Sequence, residues 1–382
     1  MDSTSIKGLG HLYSYLNSAT TILNQYEGSL PFAHFIKNYF SKNKKYGGRD
    51  RKQISHLCYA FFRLGKSYAS YPVEERILKG LSLSTPPPNE KWQEVFLQYH
   101  LPQTEPDRIF AFEEILSKEI DCAAFEQAHL IQPDLFLRIR PGCQNQVMKK
   151  LSAANEAISI QGNCLRLPNS FKLDDLISMN REAVVQDYNS QKVGDLLQRF
   201  ATETENADNK ISVWDCCAAS GGKTMLAKDL LPKARMTASD LRPSIVTNLR
   251  KRLQQAQINQ VELLVADATT INPQKQFDLI MADVPCSGSG TWARTPEQLI
   301  FFDEKQVAVY ASLQQKILNN VLRFLKPGGY LLYITCSVFE KENEAQVKYV
   351  LEKGFAVIDQ QILKGYDKKA DTMFAALLKK NM

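Results

Sequence analysis

Two apolar runs in this chain end in groups that can do chemistry. Phe277 to Ala282 has the length and composition of a buried strand. It leads into Asp283, a stiff Val284-Pro285 step, Cys286, and then glycines alternating with serines. Tyr330-Leu-Leu-Tyr-Ile-Thr335 is a second such run and ends in Cys336. A thiolate is a nucleophile, and a neighbouring carboxylate can hold the polar edge of a substrate. Open α/β sheets bind ligands at the carboxyl ends of their strands. A free cysteine is just as commonly a small core hydrophobe. Two cysteines on two strand ends of one sheet, however, can face one crevice.

A third stretch adds a ligand. Ile211-Ser-Val-Trp-Asp215 reads as a strand, and Cys216-Cys-Ala-Ala-Ser-Gly-Gly-Lys-Thr224 as a tight turn opening a helix. The turn, Cys217, Ala218, Ala219, Ser220, Gly221, Gly222 and Lys223, lets backbone approach a bound molecule. It lacks Gly-x-Gly-x-x-Gly, and Cys217 stands where a phosphate-binding Walker loop needs its first glycine. A nucleoside without a pyrophosphate therefore fits best, and S-adenosyl-L-methionine is such a ligand. Asp240, ending the next strand, sits where a ribose hydroxyl pair is held. Asp267, ending the strand Val261 to Ala266, is positioned for the adenine amino group.

The elements that must position these groups alternate. From Glu182 onward, strand and helix follow one another, starting with Ala183-Val-Val-Gln186, which predicts a largely parallel, doubly wound sheet. A helix is expected from about 304 to 324. The first third, to about residue 125, is expected to be helical: Ile54, Leu57, Cys58, Phe61, Phe62 and Leu64 recur at helical spacing, as do Ile109, Phe112, Ile115 and Leu116. Between them, residues 126–183 read as a small α/β module. Its strand Leu135-Phe-Leu-Arg-Ile-Arg140 turns Arg138 and Arg140 outward, to a phosphate or to solvent. Thr85-Pro-Pro-Pro88 reads as a stiff break and Thr202 to Lys210 as a polar loop.

The 382 residues exceed one ordinary domain, and a net charge of +6 suits a polyanionic partner. Lys42 to Lys52 holds six basic residues against one acid, with Tyr46 and paired glycines between them; it is a phosphate-contacting loop or a solvated one. The eight cysteines include no Cys-x-x-Cys, so neither zinc nor a disulfide framework is expected. With reactive thiols, no signal-like N-terminus and no apolar run near the ~20 residues of a membrane span, a cytoplasmic, monomeric protein free of metal is expected.

Asp-Cys-Cys-Ala-Ala-Ser-Gly-Gly-Lys-Thr, Asp-Val-Pro-Cys-Ser-Gly-Ser-Gly and Thr-Cys-Ser resemble three signature motifs of the RsmB/Nop/Sun family of RNA cytosine-C5 methyltransferases, specifically its bacterial RsmB-like members acting on 16S rRNA. Gln186-Asp-Tyr-Asn-Ser-Gln191 resembles the motif before the family's first core helix. The resemblance implies three domains: an all-helical NusB-like RNA-binding domain over 1–125, a small RRM-like α/β module over 126–183, and a Rossmann-like S-adenosylmethionine-dependent methyltransferase domain over 184–382. It implies Cys336 as the nucleophile on cytosine C6, Asp283 at the cytosine N3 edge and Cys286 in resolving the adduct. It also places Asp283 with the turn, Asp240 and Asp267 around the cofactor. Ser220 replaces the family's usual Pro, Val284 its Ala and Arg140 its Asn; none is a reacting group. A tRNA substrate and a non-catalytic RNA-binding protein are the alternatives.

Overall fold

The computed structural model describes residues 9–84, 90–99, 101, 108–152, 158–169, 171, 173, 176–204 and 211–382. The Thr85 to Pro88 break and most of the 202–210 loop lie outside them. Two compact units divide the chain. One takes residues 1–114, 121–132 and 291–304; the other takes 115–120, 133–290 and 305–382.

The first unit is helical: Gly10–Asn24, Phe32–Lys42, Gly48–Arg63, Val73–Leu83, Glu90–Phe96, Cys122–Ala128 and the short Gln298–Phe301. The apolar face expected on Gly48–Arg63 is buried, with Ile54, Leu57, Cys58, Phe61 and Phe62 against Leu16, Ile22 and Phe32. The helix expected through Ile109 to Leu116 does not form; only a 3-10 turn, Glu113–Ile115, is present. The Glu126 carboxylate takes the amide hydrogens of Ile109 and Phe110, and Phe110 stacks on His129 and meets Phe125 edge-on. A side chain thus claims donors that a helix start leaves open.

Residues 291–304 join this unit although they follow the Asp283 to Gly290 stretch in sequence. Trp292 packs with Phe110, Phe112 and Phe302, and Glu297 accepts the Phe32 amide at 3.1 Å. The buried Arg63 guanidinium donates to the carbonyls of His129 at 2.6 Å and Ala293 at 3.1 Å.

The second unit holds two sheets. The smaller is antiparallel, in the order β2-β3-β1-β4, from β1 (Leu135–Ile139), β2 (Ser159–Gln161), β3 (Cys164–Leu167) and β4 (Ala183–Val185). β4, expected to open the alternating half, pairs with β1 instead. Three residues carry no pattern saying which sheet they join. Arg138 and Arg140 do not face outward as expected. Asp229 pairs with both, at 2.5 and 2.7 Å, and all three side chains are largely buried. Burial against the helix Gly222–Leu230 turns the predicted solvent face of β1 into an internal one, and a buried guanidinium needs its counter-charge.

The larger sheet comprises β5 (Ser212–Asp215), β6 (Arg235–Asp240), β7 (Val261–Val265), β8 (Phe277–Asp283), β9 (Leu325–Thr335), β10 (Phe355–Leu363) and β11 (Met373–Lys380), in the order β7-β6-β5-β8-β9-β11-β10. β5 to β9 run parallel; β11 is antiparallel to both its neighbours. Strand residues alternate between two cores. Val213, Leu279, Met281 and Leu332 face the helices Tyr188–Glu203 and Gly222–Leu230. Trp214, Ile280, Leu331 and Tyr333 face Lys305–Val321 and Glu344–Leu351. Both faces are covered, which is why β8 and β9 read as continuous apolar runs. The 304–324 expectation is met by Lys305–Val321 and a 3-10 turn, Leu322–Phe324.

Candidate active site

Strand order reverses between β5 and β8, so the crevice opens at their carboxyl ends. Predicted chemical groups lie there: Asp240 ends β6, Asp283 ends β8, and Cys336 follows the last residue of β9. Asp215, which was not among them, ends β5.

The Cys216 to Lys223 turn is anchored to both neighbouring strands. Cys216 N donates to Met281 O at 3.0 Å, Ala218 N to Ser239 O at 2.9 Å, and Ala219 N to the Asp240 carboxylate at 3.1 Å. Ala219 has φ +44°, a left-handed conformation costly for a residue with a Cβ and frequent at ligand sites. Gly221 is favoured by its φ of +84°; a Cβ there would also displace the end of the Leu249 side chain. Ser220, where a proline was the family norm, is exposed, but its carbonyl accepts from Arg252 at 2.6 Å. Gly222 opens the following helix.

The acids differ in what already holds them. Asp240 accepts the Arg242 amide at 3.0 Å and its guanidinium at 3.0 and 3.1 Å. Burial raises its pKa, but these bonds and the Ala219 amide outweigh it and hold the carboxyl below the usual range. Asp267 is half-buried and accepts Thr269 N and Oγ1 at 2.8 and 2.7 Å, which fixes its turn. Asp215 is fully buried; Thr224 Oγ1 donates to one oxygen at 2.6 Å and the other lacks a well-formed partner. Burial first, then the Asp283 charge, pushes Asp215 up to about 7 despite Thr224 and Lys223. Lys223 Nζ bonds to Asp283 at 2.7 Å. Burial pulls Lys223 down, but Asp283 and the nearby Cys336 and Asp215 more than restore it, so the ammonium is held.

Cys286 and Cys336, 50 residues apart, place their sulfurs 3.3 Å from each other. The bond to Cys336, burial, and the charges of Cys336 and Glu342 push the Cys286 thiol well above its ordinary value. Gly290 lets the loop close: its N–H donates to Cys336 O at 2.9 Å, and a Cβ there meets Thr372 O at 1.9 Å.

Behind the thiols Glu342, Gln314, Ser287, Ser289 and Ser337 form a hydrogen-bonded network; the serines stand in the two thiol motifs, whereas nothing in the sequence marks Glu342 or Gln314. The polarity of Gln186-Asp-Tyr-Asn-Ser-Gln191 has structural causes. Asp187 caps the following helix, Gln186 holds Arg138 at 2.8 Å, and Asn189 Nδ2 donates to the carbonyls of Leu363 and Asp371. In the first unit, Lys44, Lys45 and Arg49 are exposed, whereas Arg51 is committed to Tyr46 O at 2.9 Å.

At the strand ends Asp215, Asp240, Asp267 and Asp283 stand against Lys223 and Arg242. That excess of carboxylates repels a pyrophosphate and suits hydroxyls, an amino group and a sulfonium. Among the described residues no cluster of three His, Cys, Asp or Glu could hold a metal, and no helix is long and apolar enough to cross a membrane.

The larger sheet, with its crevice at the strand ends, has a Rossmann-like fold. The chain matches the family model of 16S rRNA methyltransferase RsmB/F over residues 202–376. It is 36% identical over 146 residues to ribosomal RNA small subunit methyltransferase B of Vibrio cholerae serotype O1, covering 37% of this chain. It is 33% identical over 196 residues to the protein of that name from Erwinia tasmaniensis, covering 50% of this chain. In these matches the chain spans only 33% and 44% of the relatives' own lengths.

Two solved structures share the fold. The crystal structure of PH0851 aligns over 95% of this chain and 97% of its own, with a TM-score of 0.67 at 20% identity. NSun6 from Pyrococcus horikoshii with SFG aligns over 71% of this chain and 97% of its own, with a TM-score of 0.60 at 14% identity.

Proposed function

We propose that the chain is an RNA (cytosine-C5)-methyltransferase acting on 16S rRNA. The observation that carries this reading is the 3.3 Å approach of the Cys286 and Cys336 sulfurs at the strand ends that also bring Asp283 to Lys223. C5 of cytosine is a poor nucleophile until C6 is attacked. The Cys336 thiolate forms an S–C6 bond and the displaced electrons make C5 enamine-like, with the N3 edge held by Asp283. C5 then takes the methyl group as the methyl–sulfonium bond breaks, leaving S-adenosylhomocysteine. Loss of the C5 proton to a base and breakage of S–C6 restore the ring and free the thiolate, and Cys286 assists this resolution. Asp240, Asp267 and the Cys217 to Lys223 turn hold the cofactor. The base must be unstacked to be reached.

The relatives' names, together with the exposed Lys44, Lys45 and Arg49, support a ribosomal RNA substrate docked by basic side chains. The helical unit is read as NusB-like and the antiparallel β2-β3-β1-β4 module as RRM-like. The enzyme acts as a monomer, in the reducing cytoplasm that thiolate chemistry needs.

The test is a denaturing gel with labelled RNA and S-adenosylmethionine. Cys286→Ala should accumulate a covalent protein–RNA complex; Cys336→Ala and the double variant should not. An adduct with Cys336→Ala alone would exchange the two roles. Full activity of both single variants without any adduct would end the covalent reading.

A further inference from the structure

Behind the two thiols lies a carboxylate that the reaction above does not use. Glu342 is completely buried, yet among the described residues no cation bonds to it. Its oxygens accept Ser287 N at 2.9 Å, Ser287 Oγ at 2.6 Å, Ser337 Oγ, and Gln314 Nε2 at 3.3 Å. Ser287 directly follows Cys286, and Ser337 directly follows Cys336. One side chain therefore grips both turns that carry the sulfurs.

The grip is itself held. Gln314 Nε2 also donates to Pro285 O at 3.0 Å, one residue before Cys286. Tyr333 OH donates to Glu342 O at 2.7 Å, fixing the backbone from the strand that delivers Cys336. Thr335 Oγ1 donates to Asn343 Oδ1 at 2.6 Å, and Asn343 Nδ2 to Ser337 O at 2.9 Å. Burying an uncompensated carboxylate is expensive unless hydrogen bonds satisfy it. A cost of that kind beside reacting groups suggests work done there.

We propose that Glu342 is a positioning residue: its carboxylate ties the Cys286 turn to the Cys336 turn and makes Cys286 the thiol that donates to the other sulfur. This rests on the reading of Cys336 as the nucleophile. The tie keeps two sulfurs from two strand ends at bonding distance. The electrostatic part follows from charge sign. Glu342 acts on Cys286 and opposes its ionisation. The other charged or titratable groups facing the pair are Tyr310, Tyr333 and, through Cys336, Lys223, whose ammonium is shared with Asp283 at 2.7 Å. Lys223 is the cation of that set, and it couples to Cys336. One thiol is thus held as a donor and the other lies next to a positive charge.

Both parts can be read on the intact chain without RNA, by following iodoacetamide alkylation of each cysteine against pH with peptide-resolved mass spectrometry. Glu342→Gln removes the charge, so Cys286 should alkylate at lower pH than in the native protein. Turnover should fall about tenfold or more while the KM for S-adenosylmethionine holds, the size expected for losing bonds to a charged group. Glu342→Asp keeps the charge but shortens the arm, so the native alkylation profile should return while turnover stays low. A folded Glu342→Gln protein with both alkylation profiles unchanged overturns the proposal. If Glu342→Gln does not fold, Ser337→Ala removes one tie and leaves the carboxylate. It should lower turnover with no fall in the Cys286 alkylation pH, and native turnover in that variant also overturns the proposal. Because alkylation needs neither substrate nor methyl transfer, its failure leaves the covalent mechanism standing. Failure of the adduct gel leaves the alkylation result standing.

Discussion

The chain holds two pairs of cysteines at strand ends, and they behave differently. Cys216 and Cys217 are adjacent in sequence and both lie against one core, with Trp214, Ile280 and Ala282. Cys286 and Cys336 are 50 residues apart and meet at 3.3 Å in the crevice. Each pair has a buried carboxylate beside it. The Asp215 oxygens have one strong donor, Thr224, and its pKa rises to about 7. Both Glu342 oxygens are occupied, by donors that oppose but do not cancel the upward push of burial on its pKa. Adjacency along the chain says little about shared chemistry. Adjacency of β8 and β9 in the sheet brings two distant sulfurs within bonding distance of each other at one crevice.

The comparison is tested most severely by turnover. Cys336→Ala should lose on the order of 10³-fold or more of methyl transfer, as removal of a nucleophile does, while Cys216→Ala should retain it. Equal losses in both would erase the distinction between a reacting pair and a core pair.

The acid beside the core pair should next show itself by pH. Asp215 keeps its proton in the folded state up to about 7 but loses it near 3.8 when unfolded. Between those values the folded state binds more protons, so its stability falls as pH rises. Asp215→Asn cannot titrate and should flatten that decline, by at most about 4 kcal/mol across the window. Urea unfolding at several pH values measures it. Parallel native and variant curves would mean that Asp215 is ionised in the fold.

A smaller effect is expected at the cofactor turn. Asp240→Ala removes the anchor of the Ala219 amide and the proposed ribose contact. It should weaken S-adenosylmethionine binding by about 1.5–3 kcal/mol, roughly 10- to 100-fold, by calorimetry. The alkylation of Cys286 and Cys336 should not change. Unchanged affinity in a folded variant would remove Asp240 from the cofactor site.

The smallest effect belongs to the core pair. Cys216→Ala deletes one buried sulfur and should cost about 1–2 kcal/mol of stability in denaturant. A much larger loss would mean that Cys216 does more than fill space.

How much of this was legible beforehand depends on the element. β8 and β9 were readable because a strand covered on both faces must be apolar along its length. The turn after β5 was readable because a tight turn restricts residue types, as the left-handed φ of +84° at Gly221 shows. Arg138 and Arg140 misled, because alternation on β1 looks the same whether the polar face meets water or Asp229. The Ile109 to Leu116 spacing misled because nothing local announces that the Glu126 side chain will take the amides.

The residues alone therefore determined the alternation of strands and helices, the apolar faces, and the types of group that can react at Asp283, Cys286 and Cys336. These follow from local periodicity and side-chain chemistry, which need no partner to be read. Three-dimensional packing decided which groups meet: the two sulfurs, Lys223 with Asp283, and Glu342 beneath both thiol turns. It also decided which charges are spent on structure, as with the two arginines on Asp229. The physical reason is that pairing energies and pKa shifts depend on distance and burial, and those are set by strand order in a sheet whose neighbours lie far apart along the chain.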